Sequence, residues 1–467
     1  MRLVFLLGAI VLACGPTWAQ SGGGGVGGFG GQPIGQSQDP SNPSVQSMNV
    51  GFMPWLSLNG TYTHPMGAST VSRRDDLFGG SASGGFGGSK AWENSELQAG
   101  YVGSGTYNNL SYGRGFSRWR QTHVVNLGYA RQLNQRWQAG FNETGGLSDG
   151  GYGIGSAYGA SGVPGLGSGF GLGSGSGGDL TGGGGFLDSG QNGIVDNEIL
   201  GARVKFSVTR ASLAYRVSER LSFNGTGGAA FARRGSSLSG LNSYTGGGGV
   251  NYQLSQRTQV GANYARTNVD YVGLFGGVHY DTAQGGFQTR LTENLSLTVR
   301  GGGALLSSTY VGTTQLPPDL AALLGVTATQ EVKKASTKAF IGNVLLGYTT
   351  PKGSFSAGYN RGVAPGNGVV YTSVRDSAVA SYGYRLGQNV GINFFAAYTR
   401  MSGRVAVFKV TQTAQGGGML SYKLFKSVSL TGQGGYRYTT IPGVLQQRDV
   451  FAGIGLAWRP GDAVFVF

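Results

Sequence analysis
The chain has 467 residues, of which 91 are Gly, 23 Tyr and 23 Phe, and only 12% are charged. An ordinary soluble domain carries about twice that charged fraction. The net charge of +15 invites a nucleic-acid partner, but no nucleic-acid-binding motif accompanies it, so anionic lipid or anionic solutes fit the charge better.

Residues 3–14, LVFLLGAIVLAC, follow Met1-Arg2 and precede Thr17-Trp18-Ala19. The run is shorter than the roughly 20 residues of a membrane helix, and its flanks predict a secretory signal peptide over residues 1–19. Cys14 is the only cysteine, so a mature chain cut after Ala19 has no disulfide or thiolate metal site. The alternative is a lipoprotein site at Val11-Leu12-Ala13-Cys14. Residues 20–50 are Gly, Gln, Ser and Pro, a composition that buries no core, and read as a disordered periplasmic leader.

From Trp55 onward the pattern is alternation. Val390, Ile392, Phe394, Ala396 and Tyr398 occupy every second place, with Gly391, Asn393, Phe395, Ala397 and Thr399 between them. Period two is a strand with two different faces. Strands are expected near 55–63, 95–104, 107–113, 121–133, 137–145, 203–217, 221–233, 247–254, 258–266, 284–291, 295–304, 338–349, 354–361, 376–386, 390–400, 416–424, 428–438 and 449–458. That is about 18, or 16 if the weak 107–113 segment falls out, and closed bacterial barrels have even numbers.

Short polar turns join many of them. Tyr215-Arg216-Val217 leads through Ser-Glu-Arg to Leu221, Tyr252-Gln253-Leu254 through Ser-Gln-Arg to Thr258, Thr289-Arg290-Leu291 through Thr-Glu-Asn to Leu295, and Tyr422-Lys423-Leu424 through Phe-Lys-Ser to Val428. The opposite connections, near 146–202, 305–336 and 401–414, are longer and rich in Gly, Ser, Thr or Pro. The asymmetry is that of transmembrane barrels, with periplasmic turns and extracellular loops. The 146–193 run has no GK[ST] ending to cradle phosphate; it reads as a surface loop or a plug. Pro318-Asp319 before LAALL predicts one short helix.

The alternation assigns faces. Leu221, Phe223, Leu295, Leu297, Val428 and Leu430 point outward; Ser222, Asn224, Ser296, Thr298, Ser429 and Thr431 point inward, so the lumen is expected to be wet. Tyr215, Tyr252, Tyr384 and Tyr422 form a periplasmic aromatic girdle. Arg216, Arg290, Arg385 and Lys423 then face the lumen beside the turns as a partial cationic ring, with Arg300 and Arg437 adding inward charge higher up. Glu143 is the clearest strand carboxylate to oppose them. Arg266, Arg361 and Arg400 end three upward strands on the outer face, at the height of lipopolysaccharide phosphates.

The three histidines, His64, His123 and His279, lie in no metal-ligand spacing. His123 with Ser117 does not complete a nucleophile–base constellation. The expectation is therefore no enzyme, no cofactor and no metal.

The chain closes Ala463-Val464-Phe465-Val466-Phe467. A terminal Phe with an aromatic two places before it resembles the C-terminal signal of Gram-negative outer-membrane β-barrels; the resemblance implies that Phe465 and Phe467 are read by the barrel-assembly machinery. Arg459-Pro460-Gly461-Asp462 departs from that pattern by interrupting the last strand. The architecture over residues 51–467 is similar to uncharacterised porin-like barrels, some associated with exopolysaccharide export. The expected function is a porin-like outer-membrane channel for small hydrophilic, anionic solutes. The alternatives are an exopolysaccharide conduit working with export partners, or a surface-interaction barrel whose lumen is plugged.

Overall fold
The computed structural model describes residues 53–66, 76–109, 119–149, 203–234, 240–273, 276–315, 328–365, 370–406, 410–441 and 445–458. The expected signal peptide, leader, 318–324 helix, most of the 146–202 connection, Ser117, Phe465 and Phe467 lie outside them.

Among the described residues the chain forms an 18-stranded antiparallel sheet in which every strand pairs with its neighbours in sequence. The strands are β1 Met53–Pro65, β2 Leu77–Trp92, β3 Ser95–Asn108, β4 Trp119–Gln132, β5 Trp137–Asp149, β6 Arg203–Arg216, β7 Leu221–Arg234, β8 Gly240–Gln253 and β9 Thr258–Val272. They continue as β10 Gly276–Arg290, β11 Leu295–Gln315, β12 Ala328–Thr349, β13 Gly353–Pro365, β14 Val370–Arg385, β15 Val390–Ala406, β16 Val410–Lys423, β17 Val428–Ile441 and β18 Leu445–Trp458. β1 pairs with β18 from Leu56↔Trp458 to Pro65↔Asp449, which closes the barrel and leaves no sheet edge.

The turns are made by their first residue. Asn134 Oδ1 accepts from Trp137 N at 2.9 Å; Ser218 Oγ, Ser255 Oγ and Thr292 Oγ1 accept from Leu221, Thr258 and Leu295 N, each at 3.1 Å. A short polar side chain thus substitutes for the next ladder bond and reverses the chain. The turn after Arg385 has Gly387 instead, at φ 103°, a backbone that side chains rarely adopt.

The outer wall is apolar. Leu58, Phe86, Val125, Phe223, Tyr264, Phe394 and Ile454 are exposed on it. Trp137 packs on Tyr215 at 4.5 Å between ring centroids beside the turns, and Tyr252 and Tyr422 hold equivalent places. A closed barrel with an apolar exterior and aromatic residues at its rim has the architecture of an outer-membrane barrel.

Three sequence expectations are corrected. The 107–113 segment is not a separate strand: β3 runs to Asn108, and the eighteenth strand is β2, LFGGSASGGFGGSKAW, whose glycines hide its alternation. One of those glycines is sterically required: a Cβ at Gly85 would stand 2.0 Å from the Tyr101 carbonyl oxygen. β11 and β12 extend to Gln315 and from Ala328, well past their expected ends. Likewise β15 and β16 reach Ala406 and Val410, which shortens the 401–414 connection.

Candidate functional site
The turn-end mouth of the lumen is built by a bond repeated around the barrel. Arg216 N donates to Arg136 O at 2.8 Å, Arg290 N to Arg257 O at 2.9 Å, Arg385 N to Lys352 O at 2.8 Å and Lys423 N to Asn389 O at 2.8 Å. Gln253 N donates to Arg220 O at 2.8 Å in the same way. Each of these residues follows the last outward side chain of its strand, so each points inward. The common bond puts Arg216, Arg290, Arg385 and Lys423 at one position relative to the turns. It also brings up a second tier: Arg136, Arg220, Arg257 and Lys352 are the exposed turn residues whose carbonyls accept. The basic third place of the turns was legible in the sequence but was not read as part of the mouth.

Higher in the lumen, Arg300 and Arg437 are on the inward phase and only 8% and 7% exposed. Arg300 leans over Gly286, where a Cβ would lie 2.7 Å from its Cγ; glycine makes the room. Arg120, Arg210 and Arg375 share the inward phase. Arg437 stands opposite Asp449 in the β17–β18 ladder. Asp449 is buried and accepts from Gln447 Nε2 at 2.8 Å.

Glu143 is not in the lumen, which corrects the expectation that it opposes the basic residues there. Its register partners are Leu127 and Thr209, both on the outward phase. Its carboxylate accepts from Ser207 Oγ at 2.6 Å and from Thr209 Oγ1. Strand parity from Trp137 already demands this; charge alone had suggested otherwise.

The lumen is also not wet throughout. At the loop end of β7 to β12 the inward residues Ala230, Leu241, Val269, Tyr280, Leu306 and Ile341 are buried in one apolar cluster. Val363 and Val374, from β13 and β14, belong to it at 3% and 0% exposure. Cα atoms of β14 come within 8 Å of β10 and β11, which are not its sheet neighbours. The wall therefore folds over itself there and is dry. Polar inward residues such as Asn224, Asn251 and Thr298 line the turn-side half, while Ser243, Thr267 and Ser308 lie among the apolar residues at the loop end.

On the outer face, a recurring trio marks the loop-side boundary. Tyr264 OH donates to Asp281 at 2.5 Å, and Arg266 lies 3.8 Å from the same carboxylate. Tyr359 OH donates to Asp376 at 2.7 Å and Arg361 Nη1 at 2.8 Å. Arg400 faces Asp376 from the other side in the β14–β15 ladder. On β1, His64 Nδ1 lies 2.6 Å from Asp76. The His64 hydrogen bond holds the Asp76 carboxyl below its ordinary range, with Tyr62 adding a second bond. Sequence reading found the arginines and missed the aspartates, which sit on the following strand.

Among the described residues no group of His, Cys, Asp and Glu is placed to hold a metal ion. His123 points outward, and its Nδ1 lies 2.8 Å from the Tyr101 hydroxyl.

No family model matches the chain, and no curated protein matches it. Among solved structures it is similar to OccAB4 of Acinetobacter baumannii, at 10% identity and TM-score 0.40, over 90% of this chain and 100% of that one. It is also similar to the outer membrane protein OpdK of Pseudomonas aeruginosa, at 10% identity and TM-score 0.39, over 88% and 99%. A third is the closed form of the ferric-catecholate import receptor Fiu of E. coli, at 7% identity and TM-score 0.40, over 86% and 81%.

Proposed function
We propose that this chain is a passive, non-enzymatic channel of a bacterial outer membrane, exported by residues 1–19 and admitting small hydrophilic solutes with a preference for anions. The observation that carries the reading is the ring of Arg216, Arg290, Arg385 and Lys423 at one position around the mouth of a closed barrel. Such a ring raises the local anion concentration at the point where a solute leaves or enters. Arg300 and Arg437 continue the positive potential upward. Arg266, Arg361 and Arg400 lie at the outer boundary, with Arg400 the best placed of them for a lipopolysaccharide phosphate because Asp281 and Asp376 already engage the other two. Phe465 and Phe467 serve as the assembly signal in this reading.

The buried apolar cluster favours a second reading, a barrel closed at its loop end and used as a structural or surface-interaction element. Conductance in a planar bilayer separates the two. A stable ohmic current across the wild-type protein supports the channel, with the passage running along β15 to β6. Absence of current at every voltage supports the closed barrel. A current blocked by long anionic glycans, with polysaccharide secretion lost on deletion, supports the export conduit instead.

A further inference from the structure
The β12–β13 ladder stops before either strand does. It runs from Thr349↔Ser354 to Gly342↔Arg361, yet β12 reaches on to Ala328 and β13 to Pro365. Above this fork, among the described residues, β12 pairs only with β11 and β13 only with β14. The β13–β14 hairpin leaves the wall there and turns inward. Val363 and Val374 are register partners and share the outward phase of Arg361 and Asp376. Both are nevertheless buried, in one cluster with the inward residues Val278, Tyr280, Leu306 and Ile341. The outer face of the hairpin therefore lies against the inner face of β10 to β12, as a flap tucked inside the wall.

The tuck leaves a strand edge open, and an open edge is a template for a further strand. Thr349 N donates to Asn294 O on the β11 side. The N–H and C=O of one antiparallel residue bond to the same neighbour, and the side alternates along the strand. Odd-numbered β12 residues thus bond to β11, and even-numbered ones turn toward β13. The first of these above the fork is Phe340. Its carbonyl accepts from Arg361 Nε at 3.2 Å, while Arg361 Nη1 donates to Asp376 on β14 at 2.8 Å. One guanidinium thus occupies the next ladder position and ties it to the flap. Extending the Gly342↔Arg361 register by two residues pairs Phe340 with Val363. Val363 would then stand on the outer wall beside Phe340, which is 65% exposed there. Its side chain is out of water in either position, in the lumen cluster or in hydrocarbon.

We propose that the loop end of β13–β14 is a gate with two positions: tucked, where it fills the loop end of the lumen over the apolar cluster, and flush, where Val363 pairs with Phe340 and the loop end is open. The consequence for conductance rests on the channel reading; the movement does not.

Cross-linking by an oxidant added to the folded, reduced barrel in lipid nanodiscs reads the movement. Cys14 is the only cysteine in the chain, so Phe340→Cys with Val363→Cys supplies one pair in the folded barrel. Tucked, the two positions lie on opposite faces of β12 and cannot be bridged. Flush, they are ladder partners within disulfide reach. Leu346→Cys with Ala357→Cys, partners in the closed part of the ladder, is the positive control. Heat-modifiable migration confirms that each variant is folded. The 340–363 pair should cross-link, and adding Arg361→Ala, which frees Phe340 O, should speed the reaction; an unchanged rate would remove Arg361 as the latch. In planar bilayers the oxidised pair should conduct about two-fold more than the reduced pair, because a dry constriction has left the lumen. A folded pair that stays reduced while the control cross-links overturns the proposal. So does a cross-linked barrel that conducts no better than the reduced one. No current in either state would sink the channel reading instead, and the cross-link would still decide whether the hairpin moves.

Discussion

Arg437 and Asp449 face each other across the β17–β18 ladder, both inside the lumen and both buried. A cross-strand pair of opposite charges contributes roughly 0.2–1 kcal/mol, but its larger effect is on the field of the pore. Asp449→Asn removes the carboxylate that stands opposite Arg437. One unit charge about 10 Å from the path in a water-filled lumen changes the local anion concentration on the order of two-fold. Reversal potentials for Asp449→Asn should move toward chloride by about that factor, and those for Arg437→Gln should move the opposite way.

Leu306 sits in the dry wall, 3% exposed, among Val278, Tyr280 and Ile341. Leu306→Ala should destabilise the barrel by about 2–5 kcal/mol through lost burial and the cavity left behind, read as a lower temperature for the shift in gel migration. Leu306→Ser together with Ile341→Ser should raise single-channel conductance, because water and ions enter where the apolar contact excluded them. Unchanged conductance would mean that the cluster does not border the conducting path.

Arg361 and Tyr359 both donate to Asp376 on the outer face. The Arg361–Asp376 pair is partly exposed, with side-chain exposures of 32% and 15%, so solvent screening limits its worth. Arg361→Gln should cost only about 0–1 kcal/mol and leave lipopolysaccharide co-purification intact. Arg400→Gln should reduce that co-purification more than Arg361→Gln does; equal effects would remove Arg400 as the preferred phosphate contact.

Gly85 lies where β2 passes so close to β3 that a Cβ would meet the Tyr101 carbonyl oxygen at 2.0 Å. Backbone cannot yield as a flexible side chain can, so Gly85→Ala should impair assembly, measured as folded barrel recovered per total protein. Gly105→Ala on the adjacent strand is the control, since nothing lies within 4 Å of a Cβ there. Equal recovery of the two variants would show that the close approach is relieved by a small shift of the strands.

Sequence alone reached the strand count and the alternation of inward and outward faces, because alternation and turn chemistry are local. The repeated Tyr-Arg-Val and Tyr-Lys-Leu entries to the turns are enough to place Arg216 and Lys423 inward. β2 was missed because its outward places include Gly80, Ala82 and Gly84, which carry no hydrophobic signal. Asp281 and Asp376 were missed as partners because they lie on the strand after each arginine, and only the register brings them together. The apolar cluster was out of reach for a different reason. Its members come from the loop ends of many strands; those of β7 to β12 are on the inward phase, visible only once the strands are known to extend that far, whereas Val363 and Val374 share the phase of Arg361 and Asp376 and join it only through the fold of the wall. Glu143 shows the converse error, in which a charged residue was moved inward against the parity of its own strand.

If the mouth ring sets selectivity, the reversal potential of the channel in a salt gradient reads it most directly. Wild-type protein should favour chloride over potassium. Changing Arg216, Arg290, Arg385 and Lys423 together to Gln should bring the permeability ratio toward unity while leaving the barrel folded and conducting. A wild-type channel selective for cations, or a quadruple variant with unaltered selectivity, would contradict the account.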